Sequence, residues 1–155
     1  MKTNLPSPYL LRSYEVMLHY KRPLFLSMLS ISSAKQAIVI IRKSIDTAQL
    51  DLKEFFWVLL LSNANRLIAI AEVGKGTTQS VVVNTKEIFQ LALKTNASAI
   101  ILCHNHPSGL LKASDKDIQQ TKKLQKMAKI LEITVLDHLI ITSESFLSFA
   151  EEGIL

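Results

Sequence analysis

One cysteine, one tryptophan, four glycines and four prolines in 155 residues close off several structural classes at once. A lone Cys103 cannot make an internal disulfide, and a single thiol excludes a Cys₂ or Cys₄ zinc framework within one chain. So little glycine and proline excludes collagen-like and low-complexity chains. The longest uninterrupted apolar run, Phe55–Leu61, has seven residues, against the ~18 that a membrane-spanning helix needs. The first eight residues, MKTNLPSP, place prolines where a signal peptide requires an apolar helix. The expected location is therefore the cytoplasm, with no membrane partner. Aromatic residues make up 6%, so few rings are available to stack on bases in a nucleic acid.

What is present is a globular composition, 48% apolar and 20% charged. At roughly 150 residues per domain the chain reads as one domain, residues 1–155. The net charge of +5 is unevenly spread. Residues 1–53 hold eight basic and three acidic groups, residues 54–110 four and three, and residues 111–155 six and seven. The excess lies in the N-terminal third, away from the motifs below. It reads as a solvated surface rather than a patch that tracks phosphates, so nucleic acid is a weakly supported partner.

Residues 1–30 read as an extended arm containing an alternating stretch, Tyr14–Tyr20. Ser32-Ser33 caps a helix running to about Ser44, with Ala34, Ala37, Ile38 and Ile41 at helical spacing. Phe55–Leu61 is a central strand covered on both faces, and Leu67–Glu72 closes a hairpin with it across Asn63–Arg66. After Gly74-Lys75-Gly76, the pattern predicts a short strand at Val81–Val83. A helix over Lys86–Lys94 capped by Asn84 or Thr85 comes next, then a buried strand at Ala97–Cys103. A long helix spans about Asp115–Leu131, with its apolar stripe at Leu124, Met127, Ala128 and Leu131, and Ile133–Ile141 and Phe146–Phe149 supply the last strands. The fold class is α/β: a three-layer domain around a mixed sheet.

The chemistry collects at one strand end. His104 and His106 are two residues apart, so in extended backbone both imidazoles face the same side, and Pro107-Ser108-Gly109 turns the chain away. Two neutral imidazoles are two of the three protein ligands that a catalytic zinc takes, and a carboxylate commonly supplies the third. Asp115 and Asp117 open the helix that follows. Ser114-x-x-Asp117 is also a capping-box signature, and a capped helix start is a rigid mount for a ligand. Cys103 abuts His104, but adjacent strand residues point to opposite faces, so this thiol reads as core. His138, beside Asp137, is either a support for the histidine pair or a strand residue with a local hydrogen-bond partner. A zinc nucleoside deaminase would share the layered architecture but requires H-x-E and P-C-x-x-C, which are absent here.

His104-Asn105-His106-Pro107-Ser108-Gly109, seven residues from Pro107 to Ala113, then Ser114-Asp115-Lys116-Asp117, resembles the JAMM (MPN+, JAB) metallopeptidase signature. The wording of that segment, with Leu136–Ile141 and Ser148–Gly153, is similar to the RadC-like branch. The likeness covers about residues 54–155, the expected metal-binding core. It implies a JAB/MPN-like, cytidine-deaminase-like fold and one Zn²⁺ per chain held by His104, His106 and Asp117. It further implies that Ser114 hydrogen-bonds the oxyanion and that an upstream glutamate at a strand end is the general base. Glu72 fits that place, with Glu87 as competitor, although Glu87 is more simply a first-turn partner of its helix. The implied activity is hydrolysis of an amide in a protein or peptide substrate. The alternative is a non-catalytic DNA-associated or protein-interaction module on the same scaffold. Leu110-Leu111-Lys112-Ala113 replaces the acidic, proline-rich loop of the branch, which bears on substrate preference. The helix-hairpin-helix module of longer members has no counterpart in Met1–Leu52, so their DNA-repair label transfers poorly.

Overall fold

A computed structural model of the chain describes residues 20–78 and 81–155. Five strands form one mixed sheet: β1 (Phe55–Leu61), β2 (Leu67–Lys75), β3 (Ala99–Asn105), β4 (Thr134–Ile141) and β5 (Phe146–Ser148), in spatial order β2-β1-β3-β4-β5. β1 is antiparallel to both β2 and β3, while β3 and β4 are parallel and joined by a helical crossover. The helices are α1 (Ala34–Ser44), α2 (Thr85–Lys94) and α3 (Asp115–Ile130).

Alternation along β1 divides the core in two. Phe55, Trp57, Leu59 and Leu61 pack toward Ala37, Ile38 and Ile41 of α1, while Phe56, Val58 and Leu60 pack toward Ile88, Phe89 and Ala92 of α2 and Leu124 and Ala128 of α3. Every residue of β1 and β3 is buried, as runs of unbroken apolar character predict for strands covered on both sides. The three-layer α/β architecture follows directly. Cys103 joins the α1 side, on the face opposite His104, and burial pushes its thiol pKa up.

Local chemistry sets the ends. Ser33 accepts from the Gln36 amide to cap α1, and Asn84 accepts from the Glu87 amide to cap α2. β2 runs on through Gly74 to Lys75, beyond the turn expected there, because a Cβ-free residue fits against Val81 and Phe56: a Cβ at Gly74 would lie 2.9 Å from Val81 Cγ2. Val81–Val83 is not a strand. Both Val81 and Val83 pack on the core beside α2, and among the described residues of this segment the Asn84 amide approaches a β2 carbonyl, that of Val73, without a ladder.

In the expected arm, Tyr14–His19 lies outside the described residues. Residues 25–27 form a 3-10 turn, and Ser30 bridges Arg66 at the start of β2. Among the described residues, no helix is long and apolar enough to cross a membrane.

Candidate metal centre

His104 is the last but one residue of β3, which is buried throughout, and His106 follows directly after the strand's last residue, Asn105. Asp117 projects from the first turn of α3. The crossover from parallel β3 returns α3 to the same sheet edge, and three ligating atoms meet there. His104 Nε2 lies 3.0 Å from His106 Nε2 and 3.2 Å from Asp117 Oδ1, and His106 Nε2 is 3.6 Å from Asp117 Oδ2. A tetrahedral zinc with bonds of about 2.0–2.1 Å separates neighbouring ligand atoms by about 3.3 Å, so these spacings fit such an ion. The three side chains form a group that can hold a metal ion.

Proton bookkeeping supports the fit. His106 Nδ1 faces the Leu110 carbonyl at 2.8 Å, which can only accept, so Nδ1 carries a proton and, in the neutral ring, Nε2 carries the lone pair. His104 is set by a longer chain. The Thr121 hydroxyl donates to the Asp117 carbonyl at 2.6 Å, so its oxygen must accept from His138 Nδ1–H, also at 2.6 Å. Burial, then the neighbouring His104, lowers the pKa of His138 well below its ordinary value, so its ring is neutral. His138 Nε2 is then an acceptor, receiving the proton of His104 Nδ1 at 2.8 Å, so that in the neutral His104 ring Nε2 carries the lone pair. The His138 ring is held between Phe56 and Phe149, with centroids at 5.5 and 4.6 Å. In their neutral forms both rings therefore turn an Nε2 lone pair toward the Asp117 carboxylate, an arrangement suited to a cation, whose place a proton can take when no metal is bound.

Asp117 divides its oxygens between two tasks. Oδ2 accepts from the Ser114 amide at 2.8 Å and from the Ser114 hydroxyl at 2.7 Å, completing the capping box of α3, while Oδ1 is the oxygen nearer His104. Burial would raise its pKa, but hydrogen bonds with His104, His106 and Ser114 outweigh that and hold the carboxyl well below the usual range. The same contact is the largest influence on His106, raising its pKa against the opposing effect of burial.

The residue between the histidines points the other way and does structural work. Asn105 is fully buried; its Nδ2 donates to the carbonyls of Leu50 and Lys53 at 2.7 and 2.8 Å, and its Oδ1 accepts from the Phe55 amide at 2.7 Å. One side chain thus fastens the segment leading into β1 to the strand that carries the histidines. That segment includes Glu54, which lines the same cleft of about 700 Å³ as His104, His106, Ser114 and Asp117. Burial is the largest influence on Glu54 and raises its carboxyl pKa; the two histidines pull it back and Asp117 adds to the rise.

Glu72, the expected base, does not line this cleft. It borders a second cavity with Phe55, Trp57 and Ser44, on the α1 side of the sheet. The cause is a bulge. Phe56 pairs with Gly74, but Trp57 pairs with Glu72, leaving Val73 as an extra residue. In an unbroken register Glu72 would oppose Val58 on the site face; the bulge turns it to the other side. Glu87 remains at the N-terminus of α2, accepting from Asn84 Nδ2, and does not line the cleft either. Glu54, Asn105 and Thr121 were not singled out from sequence. For Glu54 the available signal was its place two residues before Phe56, on the strand face that opposes His104.

Comparison with known proteins agrees with the motif. A model of the family described as "RadC-like JAB domain" matches residues 31–154. A UPF0758 protein of Flavobacterium johnsoniae is 43% identical over 129 residues, 83% of this chain and 55% of the relative. A UPF0758 protein of Aeromonas salmonicida is 46% identical over 108 residues, 70% of this chain and 49% of the relative. The chain spans about half the length of the curated relatives it matches. A mixed five-stranded α/β sheet, an H-x-H pair at a strand end joined by an aspartate across the crossover, and a match over residues 31–154 lead to one assignment: the chain belongs to the RadC-like JAB domain family.

Proposed function

We propose that the chain is a zinc-dependent hydrolase of amide bonds, acting on a protein or peptide, with His104, His106 and Asp117 as metal ligands and Glu54 in place of Glu72 as general base. The observation that carries this reading is the convergence of the two Nε2 atoms and the Asp117 carboxylate at 3.0–3.6 Å in a cleft that Glu54 also lines. Zinc bound there supplies a water of pKa near ~7 and a Lewis acid for the scissile carbonyl.

The protein's own groups do the rest. Glu54, half-buried and with a raised pKa, accepts the proton of the attacking water and delivers it to the leaving nitrogen, a role typically worth ~10²–10⁴-fold in rate. Asn105 holds the backbone from which Glu54 projects. The Ser114 hydroxyl proton is committed to Asp117 Oδ2. It becomes available to the developing oxyanion once a metal draws on that carboxylate, and this is the role proposed for Ser114.

The test is metal analysis together with turnover of a dye-labelled peptide mixture. About one zinc per chain is expected in the parent, with loss in His104→Ala and Asp117→Ala. Glu54→Gln should keep the metal and lower turnover by ~10²-fold or more, while Glu72→Gln leaves both unchanged. Full turnover in Glu54→Gln would remove it as the base.

A further inference from the structure

We infer that the cleft continues into a specificity groove between α2 and α3 that takes a substrate segment bearing alternating acidic and apolar side chains. The location rests on the hydrolase reading; the chemistry rests on the groove alone. α2 and α3 both start near the sheet edge that carries the histidines: the Asn84 amide approaches the Val73 carbonyl, and Asp117 lies in the first turn of α3. Residues of both helices line a third cavity of about 450 Å³, floored by Phe89, Met127 and Leu131, with Leu93 on its rim, 53% exposed. Lys123 lines both this cavity and the cleft, so the two are neighbours on either side of that side chain.

The charges are one-sided. Lys112, Lys116 and Lys123 line the cleft, and Lys86 and Lys123 line the groove. Among the described residues that line the two cavities, the acids are Glu54 and Asp117, both at the candidate metal centre. Leu110, 61% exposed, adds an apolar side chain at the cleft mouth beside Lys112. From Lys123 to Leu131 the groove is about 12 Å long at 1.5 Å per helical residue. That length holds about four residues of extended chain at ~3.3 Å each. Apolar side chains would seat on the floor while acidic neighbours meet the lysines of the rim. A nucleic acid fits less well, because the floor is aliphatic apart from Phe89, and Phe89 is buried rather than presented for stacking.

Fluorescence anisotropy on the whole chain, with and without zinc, provides the test. The probes are labelled octapeptides of alternating Glu-Leu, Lys-Leu and Glu-Ser, and an oligothymidylate of equal length. The Glu-Leu peptide should bind at least about tenfold more tightly than either other peptide, whether or not zinc is present. Lys123→Glu and Met127→Glu should each weaken it by roughly three- to tenfold, with Lys35→Glu on α1 as a charge control that changes nothing. Both groove variants alter helix-surface positions, and an unchanged melting temperature checks their folding. Equal binding of the Lys-Leu peptide, loss in the Lys35→Glu control, or no saturable binding overturns the proposal. Tighter binding of the oligonucleotide that depends on Lys123 overturns it in favour of a nucleic acid. Binding in the groove by a chain that cleaves nothing would remove the hydrolase and leave the groove. Cleavage indifferent to Lys123 and Met127 would do the reverse.

Discussion

His106 and Asp117 pull each other's titration in opposite directions, and that fixes how the site responds to pH. The contact raises the imidazole above its ordinary value of 6.5 and, with His104 and Ser114, lowers the carboxyl below 3.8. Without metal, the His106 contribution to stability is complete below pH 6.5 and disappears as pH rises through the raised value; that of Asp117 is present above pH 3.8 and disappears as pH falls. Zinc must displace the His106 proton, so its affinity should climb with pH by at most about tenfold per unit until that imidazole is neutral. Calorimetric zinc titrations at several pH values check this; a flat profile would mean that His106 is not a ligand. At the same scale, Thr121→Val deprives His138 Nδ1–H of its acceptor and frees the tautomer that orients His104. Zinc affinity should drop ~10–100-fold, with recovery in Thr121→Ser.

The proposed ligands were legible as residues because H-x-H, seven residues and S-x-x-D is a local pattern. The proposed base was not. Glu54 reads as a flanking charge until the Phe56–His104 register is known, and Glu72 reads as a strand-end acid until the Val73 bulge is seen. Register and bulges are properties of strand pairs, which one strand's sequence does not specify.

At the scale of elements, periodicity carried most of the reading. α1, α2 and α3 begin at or within a residue of the expected caps because Ser33, Asn84 and Ser114 each accept from an amide three residues on. β1 and the parallel β3–β4 pair follow from apolar runs separated by one helix. Val81–Val83 misled because β-branched residues favour strands only where a ladder partner exists. The junction of β1 and β3 depends on Asn105, whose four-atom amide satisfies two carbonyls and one N–H. Asn105→Ala would strand those groups, at ~1–3 kcal/mol for each that water cannot reach. A lowered melting temperature is expected, and with it a loss of turnover larger than the loss of zinc, since the histidines stay on β3 while the Glu54 segment is released. Zinc lost in parallel with turnover would place the clamp's effect on the ligands instead.

For the molecule as a whole, the sheet is unequal in its protection. β1 and β3 are buried throughout and hydrogen-bonded on both sides, whereas β2 is an edge strand with only half-buried residues over Leu67–Ala71. Hydrogen exchange should be slowest in β1 and β3 and faster by orders of magnitude in β2. Uniform exchange across the sheet would contradict this ordering. The three-layer plan was visible in sequence because it needs only the order of elements; which face of each strand meets which helix was not.

The chain from His104 through His138 and Thr121 ends on the main-chain oxygen of Asp117, the third of the proposed metal ligands. Two donors that arrive from different elements are therefore tied together a second time, behind the cleft, through β4. An ion leaving the centre would find its cage still assembled. Equally, any slippage of β4 beneath the helix would be felt by the ion before any substrate could sense it.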